Sequence, residues 1–348
     1  MAELNWSVEL VRQRIGLSYV IGQGPRGARE IVESAVLAEK SGFEVVIMPE
    51  HYYDRDAPSI LGAIALATRR IRLGTGIINP FSRFPSLIAM TVRTLDELSM
   101  GRAMLGLGSG SVIGAKRDGI PNEFAGQEYG HPLGHLRELV PLIRRLLSGE
   151  SVTFEGRFYN LKEVKLNFGP SRREVPIYFG QQGPKMMELA GRLADGILIT
   201  LCCTVPYVKG VIRLVENSER ASDRKKGSVD FAARIIASVS SDRRKAVRRS
   251  KQLVGRVFVN PGARPVMEAT GIEMDVPALQ RALDTGRYEM LDELVPDEVV
   301  ELTTASGTEK HVLDRIEEFR WAGVTLPLVV PIGENYLDVI RSLSRPRA

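Results

Sequence analysis

The sequence is poor in cysteine and histidine. Its two cysteines are the adjacent Cys202 and Cys203, which in an extended strand would point to opposite faces and rarely pair. This excludes a disulfide framework and predicts a reducing compartment, the cytoplasm. With four histidines in 348 residues, a metal site built from several histidines is not expected.

Long apolar runs are also missing. No stretch approaches the roughly 18 uninterrupted apolar residues that a membrane-spanning helix needs. The first residues, Met1 to Arg14, carry Glu3, Glu9 and Arg12 without an apolar core, so no secretory signal is expected there. The sequence therefore does not predict a membrane partner.

The charge excess is small. Lys and Arg number 47 against 42 Asp and Glu, a formal net charge of +5. The one dense basic run, Asp242 to Arg249, has helical spacing and is more typical of a solvated helix face than of a nucleic-acid groove. The excess fits attraction of a small polyanionic ligand better than binding of nucleic acid.

Short apolar runs alternate with helical patterns along most of the chain. Length alone allows two domains, but alternating strands and helices of this length also form single barrels. No G-x-G-x-x-G motif follows the first strand, which argues against a dinucleotide-binding sheet. We therefore predict one domain over residues 1–348, a (β/α)8 TIM barrel. The eight predicted strands are Ile15–Ile21, Phe43–Met48, Ile71–Ile78, Arg102–Leu107, Val175–Phe179, Gly196–Thr200, Phe231–Val239 and Leu326–Pro331.

Two long connections interrupt the alternation. Residues 111–171 are predicted to hold a helix near His135–Leu147 and a hairpin within Val152–Leu166, and residues 255–306 mostly short helices. Because both follow strands, they are expected over the carboxyl end of the barrel, as lids or substrate pockets.

Residues that could carry chemistry stand where the predicted strands end, since barrel active sites lie at that face. Glu50 and His51 follow the second strand and offer a carboxylate beside an imidazole, a pair suited to proton transfer. Gly76, Ile77 and Asn79 end the third strand in an apolar segment and a proline turn, a pattern that by itself indicates no more than a turn.

Two glycine turns are candidates for phosphate binding. Ser109, Gly110 and Ser111 follow the fourth strand, and Gly180 to Gly183, with Gln181 and Gln182 between them, precede a proline that begins a helix. Backbone N–H groups at such a helix start attract phosphate, although turns need glycine in any case. By contrast, Cys202 and Cys203 lack a nearby base and are expected to line a pocket, and Met186 and Met187 are expected in the core.

Together these residues resemble the luciferase-like superfamily of flavin and deazaflavin enzymes, over about Ile15 to Val330. The segments that carry the resemblance are Pro49–His51, Thr68–Gly76, Leu95–Arg102, Phe154–Tyr159, Val175–Tyr178 and Leu189–Gly196. The resemblance implies an eight-stranded α/β barrel, which agrees with the strand count, and a tendency to form dimers or dimers of dimers.

Within that superfamily, Gly76 to Pro85 resembles the strand-three segment of methylenetetrahydromethanopterin reductases, which use coenzyme F420. The resemblance implies a bulge with a non-prolyl cis peptide at Gly76–Ile77 behind the deazaflavin ring. It also implies that Glu50 and His51 approach the ring, that Ser109 to Ser111 line the ribityl path, and that Gly180 to Gly183 bind the phosphate. Some relatives carry carboxylates where this chain has Ser18 and Ser111, which leaves Glu50 and His51 as the acid–base candidates.

The resemblance predicts an F420-dependent oxidoreductase that transfers a hydride between the reduced coenzyme and an electrophilic carbon. The first candidate acceptor is 5,10-methylenetetrahydromethanopterin, and carbonyl-type acceptors stay open. One alternative is an FMN-dependent monooxygenase on the same barrel, and a second is a barrel that binds cofactor without catalysis.

Overall fold

The computed structural model describes residues 14–20, 22–51, 54–81, 83–109, 131–170, 172, 174–180 and 183–344. The strands are β1 Gly16–Ser18, β2 Val45–Met48, β3 Arg72–Thr75, β4 Ala103–Leu107, β5 Val152–Glu155, β6 Asn160–Val164, β7 Ile177–Phe179, β8 Gly196–Ile199, β9 Asp230–Val239, β10 Thr304–Gly307 and β11 Leu326–Pro331. The helices are α1 Ala28–Lys40, α2 Ala57–Ala67, α3 Pro85–Leu98, α4 Pro132–Leu147, α5 Pro184–Leu193, α6 Val205–Arg220, α7 Arg243–Phe258, α8 Arg264–Thr270, α9 Val276–Asp284, α10 Leu291–Leu294, α11 Asp297–Thr303, α12 Glu309–Trp321 and α13 Tyr336–Ser342. Short 3₁₀ turns cover Pro261–Ala263 and Tyr288–Met290.

Parallel pairing joins eight of these strands in the order β1-β2-β3-β4-β7-β8-β9-β11, and β11 pairs back onto β1. The result is a closed barrel with helices between its strands, so the predicted TIM barrel is confirmed. Its eight strands are the eight that the sequence predicts. The antiparallel hairpin β5–β6 lies within the first long connection, as predicted.

One further strand, β10, was not predicted. Residues Thr304–Gly307 pair in parallel with Ile236–Val239, the second half of β9. The cause is the length of β9: β8 reaches only to Ala233, so β9 extends beyond it and has an edge free for another partner. The sequence Thr-Ala-Ser-Gly has no apolar alternation, and the prediction of short helices over residues 255–306 therefore missed it.

Buried apolar side chains that point inward from six strands fill the barrel interior. They are Val45, Ile47, Met104, Tyr178, Leu198, Ala232, Leu326 and Leu328. A larger buried cluster lies between the strands and the surrounding helices. Within the described residues, no helix has both the length and the apolar character needed to cross a membrane.

Two side chains, those of Glu39 and Arg102, close the turn between α2 and β3. The Glu39 carboxylate accepts backbone N–H groups of Arg69, Arg70 and Ile71 at 2.6–3.2 Å. The buried Arg102 guanidinium donates to the carbonyls of Ala65, Thr68 and Ile71 and to the Thr68 hydroxyl. These contacts satisfy the backbone groups that the end of α2 and the turn into β3 leave open.

The basic run on α7 is largely exposed, as predicted, and some side chains of this helix form ion pairs. Arg243 pairs with Glu301 at 2.6 Å, Arg248 with Asp292 at 2.7 Å and Lys251 with Asp297 at 2.6 Å. The acidic partners lie on α10 and α11, which belong to the second long connection. These ion pairs join α7 to that connection, a contact that the prediction of a solvated face did not include.

A network of polar side chains closes the amino end of the barrel. Arg14 contacts Glu44 at 2.8 Å and Asp230 at 2.8 Å, and the Tyr178 hydroxyl donates to Asp230 at 2.7 Å. Burial by itself would raise the pKa of Asp230, but Arg14, with the Thr325 and Tyr178 hydroxyls, holds it below its ordinary value. The network ties β2, β7 and β9 together where they begin.

We expect Asp230→Asn to lower the free energy of unfolding by about 3 kcal/mol, because it leaves the partly buried Arg14 with one carboxylate instead of two. Denaturant titration measures the change. The matched control is Asp338→Asn, which removes an exposed pair with Arg341 and should cost less than about 1 kcal/mol. Equal losses in the two variants would show that the network does not hold the barrel.

Candidate active site

The chain leaves β3 through a bulge that returns to β4. The peptide bond between Gly76 and Ile77 is cis. The Gly76 amide donates to the Met48 carbonyl at 2.8 Å, and the Ile78 amide donates to the Gly106 carbonyl at 2.8 Å. Ile77 thus stands at the carboxyl end of the barrel between two anchored neighbours.

Three glycines surround this bulge, and we call them the glycine wall: Gly76 after β3, Gly106 on β4 and Gly180 after β7. A Cβ atom on Gly76 would lie 2.2 Å from Ile47 Cγ2, one on Gly106 would lie 2.1 Å from the Thr75 carbonyl oxygen, and one on Gly180 would lie 2.4 Å from Ile77 Cγ2. No real Cβ tolerates such distances, so only glycine allows the three chain segments to approach this closely. The three glycines therefore contribute only backbone here, and the space beside them is filled by Ile47, Ile77 and Leu198.

The loop after the bulge is shaped by Asn79 and Phe81. Asn79 is 7% exposed, and its side-chain oxygen accepts the Phe81 amide at 3.0 Å. The Phe81 ring contacts the His135 ring edge-on at 4.8 Å, and His135 packs against Phe158 at 4.1 Å. The first long connection thereby reaches the bulge loop through a row of aromatic rings.

Glu50 and His51 have different surroundings although they are adjacent. Glu50 Oε1 accepts a hydrogen bond from Arg83 Nε at 3.1 Å, and Arg83 also contacts Asp56 at 2.8 Å. The other Glu50 oxygen is buried and has no hydrogen-bond partner among the residues described. Glu50 is therefore held in an ion pair with the loop that follows the bulge.

His51 is accessible to solvent but closely surrounded by protein. Desolvation, and after it the positive charge of Arg234, lowers the pKa of His51 from 6.5 to about 4, although Asp54 acts in the opposite direction. The imidazole is consequently neutral near pH 7. It can donate or accept a hydrogen bond there, but it is not a reservoir of imidazolium protons.

Arg234 is a residue of this region that the sequence analysis missed. It lies on β9, and its Nε donates to Ser18 Oγ at 3.2 Å while its Nη2 donates to the Tyr19 carbonyl at 2.8 Å. Ser18 is fully buried at the end of β1. An arginine in the middle of an apolar strand was the available signal, since such a strand should otherwise be buried on both faces.

The remaining predicted cofactor residues are only partly described. Ser109 lies two residues beyond β4, and Gly183 is the N-cap of α5, with open space around the position where a Cβ would be. No side chain caps α5, and its first turn has no acidic residue, which suits an anion. Gly110, Ser111, Gln181 and Gln182 lie outside the described residues.

The cysteine prediction is wrong in one respect. Cys202 and Cys203 are 0% and 1% exposed and belong to the hydrophobic core, so they do not line a pocket. Burial raises the pKa of both thiols, which makes them poor nucleophiles. Met186 and Met187 are buried in the core as predicted.

Across the described part of the chain, no three His, Cys, Asp or Glu side chains are grouped to hold a metal ion.

The mouth of the barrel thus has two unlike sides. The glycine wall belongs to β3, β4 and β7, which are consecutive in the barrel. Ser18 and Arg234 belong to β1 and β9, on the far side of the barrel, and His51 follows β2, the neighbour of β3. We call these three residues the polar side. A flat ring against the glycine wall would have its other face toward the polar side.

Known proteins resemble this chain over most of its length. The family model described as luciferase-like monooxygenase matches residues 13–326. A 5,10-methylenetetrahydromethanopterin reductase of Archaeoglobus fulgidus is 35% identical over 316 residues, which cover 89% of this chain and 92% of the relative. An F420-dependent glucose-6-phosphate dehydrogenase of Nakamurella multipartita is 30% identical and aligns with 79% of this chain and 82% of its own length.

A solved structure with a similar fold is the coenzyme F420-dependent tetrahydromethanopterin reductase of Methanopyrus kandleri. It superimposes with a TM-score of 0.85 at 26% identity, over 95% of this chain and 98% of that one. The similarity therefore extends over nearly the whole length of both chains.

We expect NMR titration of the His51 ring to give a midpoint near pH 4. In Arg234→Met the midpoint should rise, because one nearby positive charge is gone, but stay below 6.5, because the desolvation remains. A midpoint near 6.5 in the wild-type protein would contradict the lowered pKa of His51. No change in the variant would contradict the effect of the Arg234 charge on that pKa.

Proposed function

The chain belongs to the luciferase-like monooxygenase family, and from that premise we propose that it is a coenzyme F420-dependent oxidoreductase. It transfers a hydride between the reduced coenzyme and an electrophilic carbon of a small molecule. The names of the relatives make 5,10-methylenetetrahydromethanopterin the first acceptor to consider, with carbonyl compounds as the second class.

The glycine wall beside the Gly76–Ile77 bulge is the observation that supports this proposal most. A tricyclic ring needs a surface from which few side chains protrude, and Gly76, Gly106 and Gly180 contribute none of their own. Gly180 also connects this wall to the uncapped start of α5 at Gly183, where a phosphate would find free N–H groups. The described residues therefore fit the group.

We assign the cofactor contacts accordingly. Gly76, Ile77 and Asn79 would support the ring, Ser109, Gly110 and Ser111 the ribityl chain, and Gly180, Gln181, Gln182 and Gly183 the phosphate. The coenzyme supplies the hydride; the protein contributes position and exclusion of water. His51, as a neutral imidazole, would polarise the acceptor by a hydrogen bond, and Glu50, through Arg83, would fix the loop that carries the wall.

We further propose that the chain is one domain that works in the cytoplasm as a homodimer or homotetramer. Large apolar side chains stand exposed on α2, on α3 and at their ends, among them Leu66 at 63% and Phe84 at 77%. Met90, Leu98 and Met100 extend the same region. Such a surface is typical of an interface between subunits.

Coenzyme binding separates this proposal from an FMN-dependent monooxygenase. We expect fluorescence titration of the purified protein to show saturable binding of F420 and no comparable binding of FMN. Tight FMN binding without F420 binding would reverse the assignment. F420 binding with no oxidation of the reduced coenzyme by any pterin or carbonyl acceptor would instead indicate a cofactor-binding protein without catalysis.

His51→Ala is expected to lower kcat by 10- to 100-fold while the Kd for F420 stays within about twofold, because the imidazole acts on the acceptor. Stopped-flow oxidation of reduced F420 measures the first quantity and fluorescence titration the second. His51→Gln, which keeps a hydrogen-bond donor, should recover part of the rate. An unchanged kcat in His51→Ala would exclude the role.

A further inference from the structure

Arg234 is a positive charge in the barrel mouth without a counter-ion. Within the ranges that the structure describes, it forms no ion pair, and its two hydrogen bonds go to neutral oxygens of Ser18 and Tyr19. No hydrogen bond involving Nη1 is present among those residues. A buried unpaired charge costs free energy, and an uncharged side chain such as methionine would fill the same space at lower cost.

Three other arginines of the barrel have partners of a different kind. Arg14 has Glu44 and Asp230, and Arg83 has Glu50 and Asp56. Arg102 donates to carbonyls that end a helix and complete its turn. Arg234 differs from these three because both of its hydrogen-bond partners are neutral loop or strand-end oxygens and because β9 lies across the barrel from β3, the strand that carries the bulge.

Its position puts it on the acceptor's side of the site. The coenzyme ring, placed as proposed above, covers the glycine wall of β3, β4 and β7. The hydride acceptor must then lie on the other face of the ring, toward the polar side, where Arg234 stands with His51 and Ser18. An acceptor bound there would have a guanidinium beside its reacting carbon.

We propose, resting on F420-dependent hydride transfer as the function, that the acceptor is a carbonyl compound whose oxygen binds Arg234. In this reaction the carbonyl carbon receives the hydride, the π electron pair of the C=O bond moves to oxygen, and a proton from solvent completes the alcohol. Arg234 donates hydrogen bonds to the oxygen as its negative charge develops, which is the arrangement that stabilises an oxyanion. The coenzyme is oxidised by the two electrons that leave with the hydride.

A tetrahydropterin acceptor develops positive charge in the site, whereas a carbonyl acceptor develops negative charge. The methylene group of a tetrahydropterin is held between two nitrogens, and it accepts a hydride once one C–N bond opens to a cationic iminium. A guanidinium without a carboxylate beside it repels that cation. The charge of Arg234 should therefore favour carbonyl reduction and hinder pterin reduction.

The test compares both classes in wild type, Arg234→Met, Arg234→Lys and the surface control Arg341→Met. Reduced F420 is the donor, and cyclohexanone, benzaldehyde and 5,10-methylenetetrahydromethanopterin are the acceptors. We expect carbonyl turnover in the wild type, a fall of 10²- to 10³-fold in kcat/KM in Arg234→Met, partial recovery in Arg234→Lys, and no change in Arg341→Met. Any pterin turnover should not fall in Arg234→Met.

A second readout does not depend on turnover. Infrared difference spectra of ¹³C-carbonyl-labelled cyclohexanone, bound to the protein with oxidised F420, should show a C=O stretch shifted to lower frequency in the wild type but not in Arg234→Met. Circular dichroism and the F420 Kd check that each variant is folded and loaded.

The outcomes separate the two claims. If the wild type does not bind F420, the proposed function fails. If it binds F420 but reduces only the pterin, or if Arg234→Met leaves both the carbonyl kcat/KM and the C=O stretch unchanged, the inference about Arg234 is wrong while the proposed function stands.

Discussion

Neighbouring chain segments approach very closely at the ends of β3, β4 and β7, and the site depends on this packing. Gly106 lies so near the Thr75 carbonyl, and Gly180 so near Ile77, that no larger residue fits at either position. This constraint fixes where the bulge returns to β4, through the hydrogen bond from Ile78 to Gly106. It also places three residues without side chains on one side of the barrel mouth, where the proposed coenzyme ring would lie.

Charge is distributed differently at the two ends of the barrel. At the amino end, Arg14 is balanced by Glu44 and Asp230, so the network contributes to stability without leaving a charge available. At the carboxyl end, Arg234 has only neutral partners. A positive charge without a counter-ion is tolerated where a ligand brings negative charge or a hydrogen-bond acceptor. Burial lowers the pKa of Arg234 to about 10. The same charge adds to the desolvation that lowers the pKa of His51, so in the proposed reaction both residues would act on an acceptor through hydrogen bonds.

Much of the fold could be predicted because its signals are local. Each of the eight barrel strands is a short apolar run bounded by turn residues. Of the glycines that mark the site, Gly76 and Gly180 stand directly after a strand and Gly106 lies within one. The features that were missed depend on contacts between distant segments. β10 exists because β9 extends beyond β8, Glu50 is tied to Arg83 through a loop 33 residues away, and the basic run of α7 meets its acidic partners on α10 and α11. Periodicity along the chain contains none of this information.

Arg234 could be predicted in part, because its place in a strand is a local signal but the direction of its side chain is not. The sequence shows an arginine within the strand Phe231–Val239, and a charged residue at such a place conflicts with the rule that buried strands are apolar. Local conflicts of that kind concentrate at functional sites, because selection for function can retain what selection for stability would remove. The direction of the side chain, inward toward Ser18 instead of outward to the helices, could not be read from the sequence, since it depends on the phase of the strand in the closed barrel. The structure gives that phase, and with it the side of the site on which the charge acts.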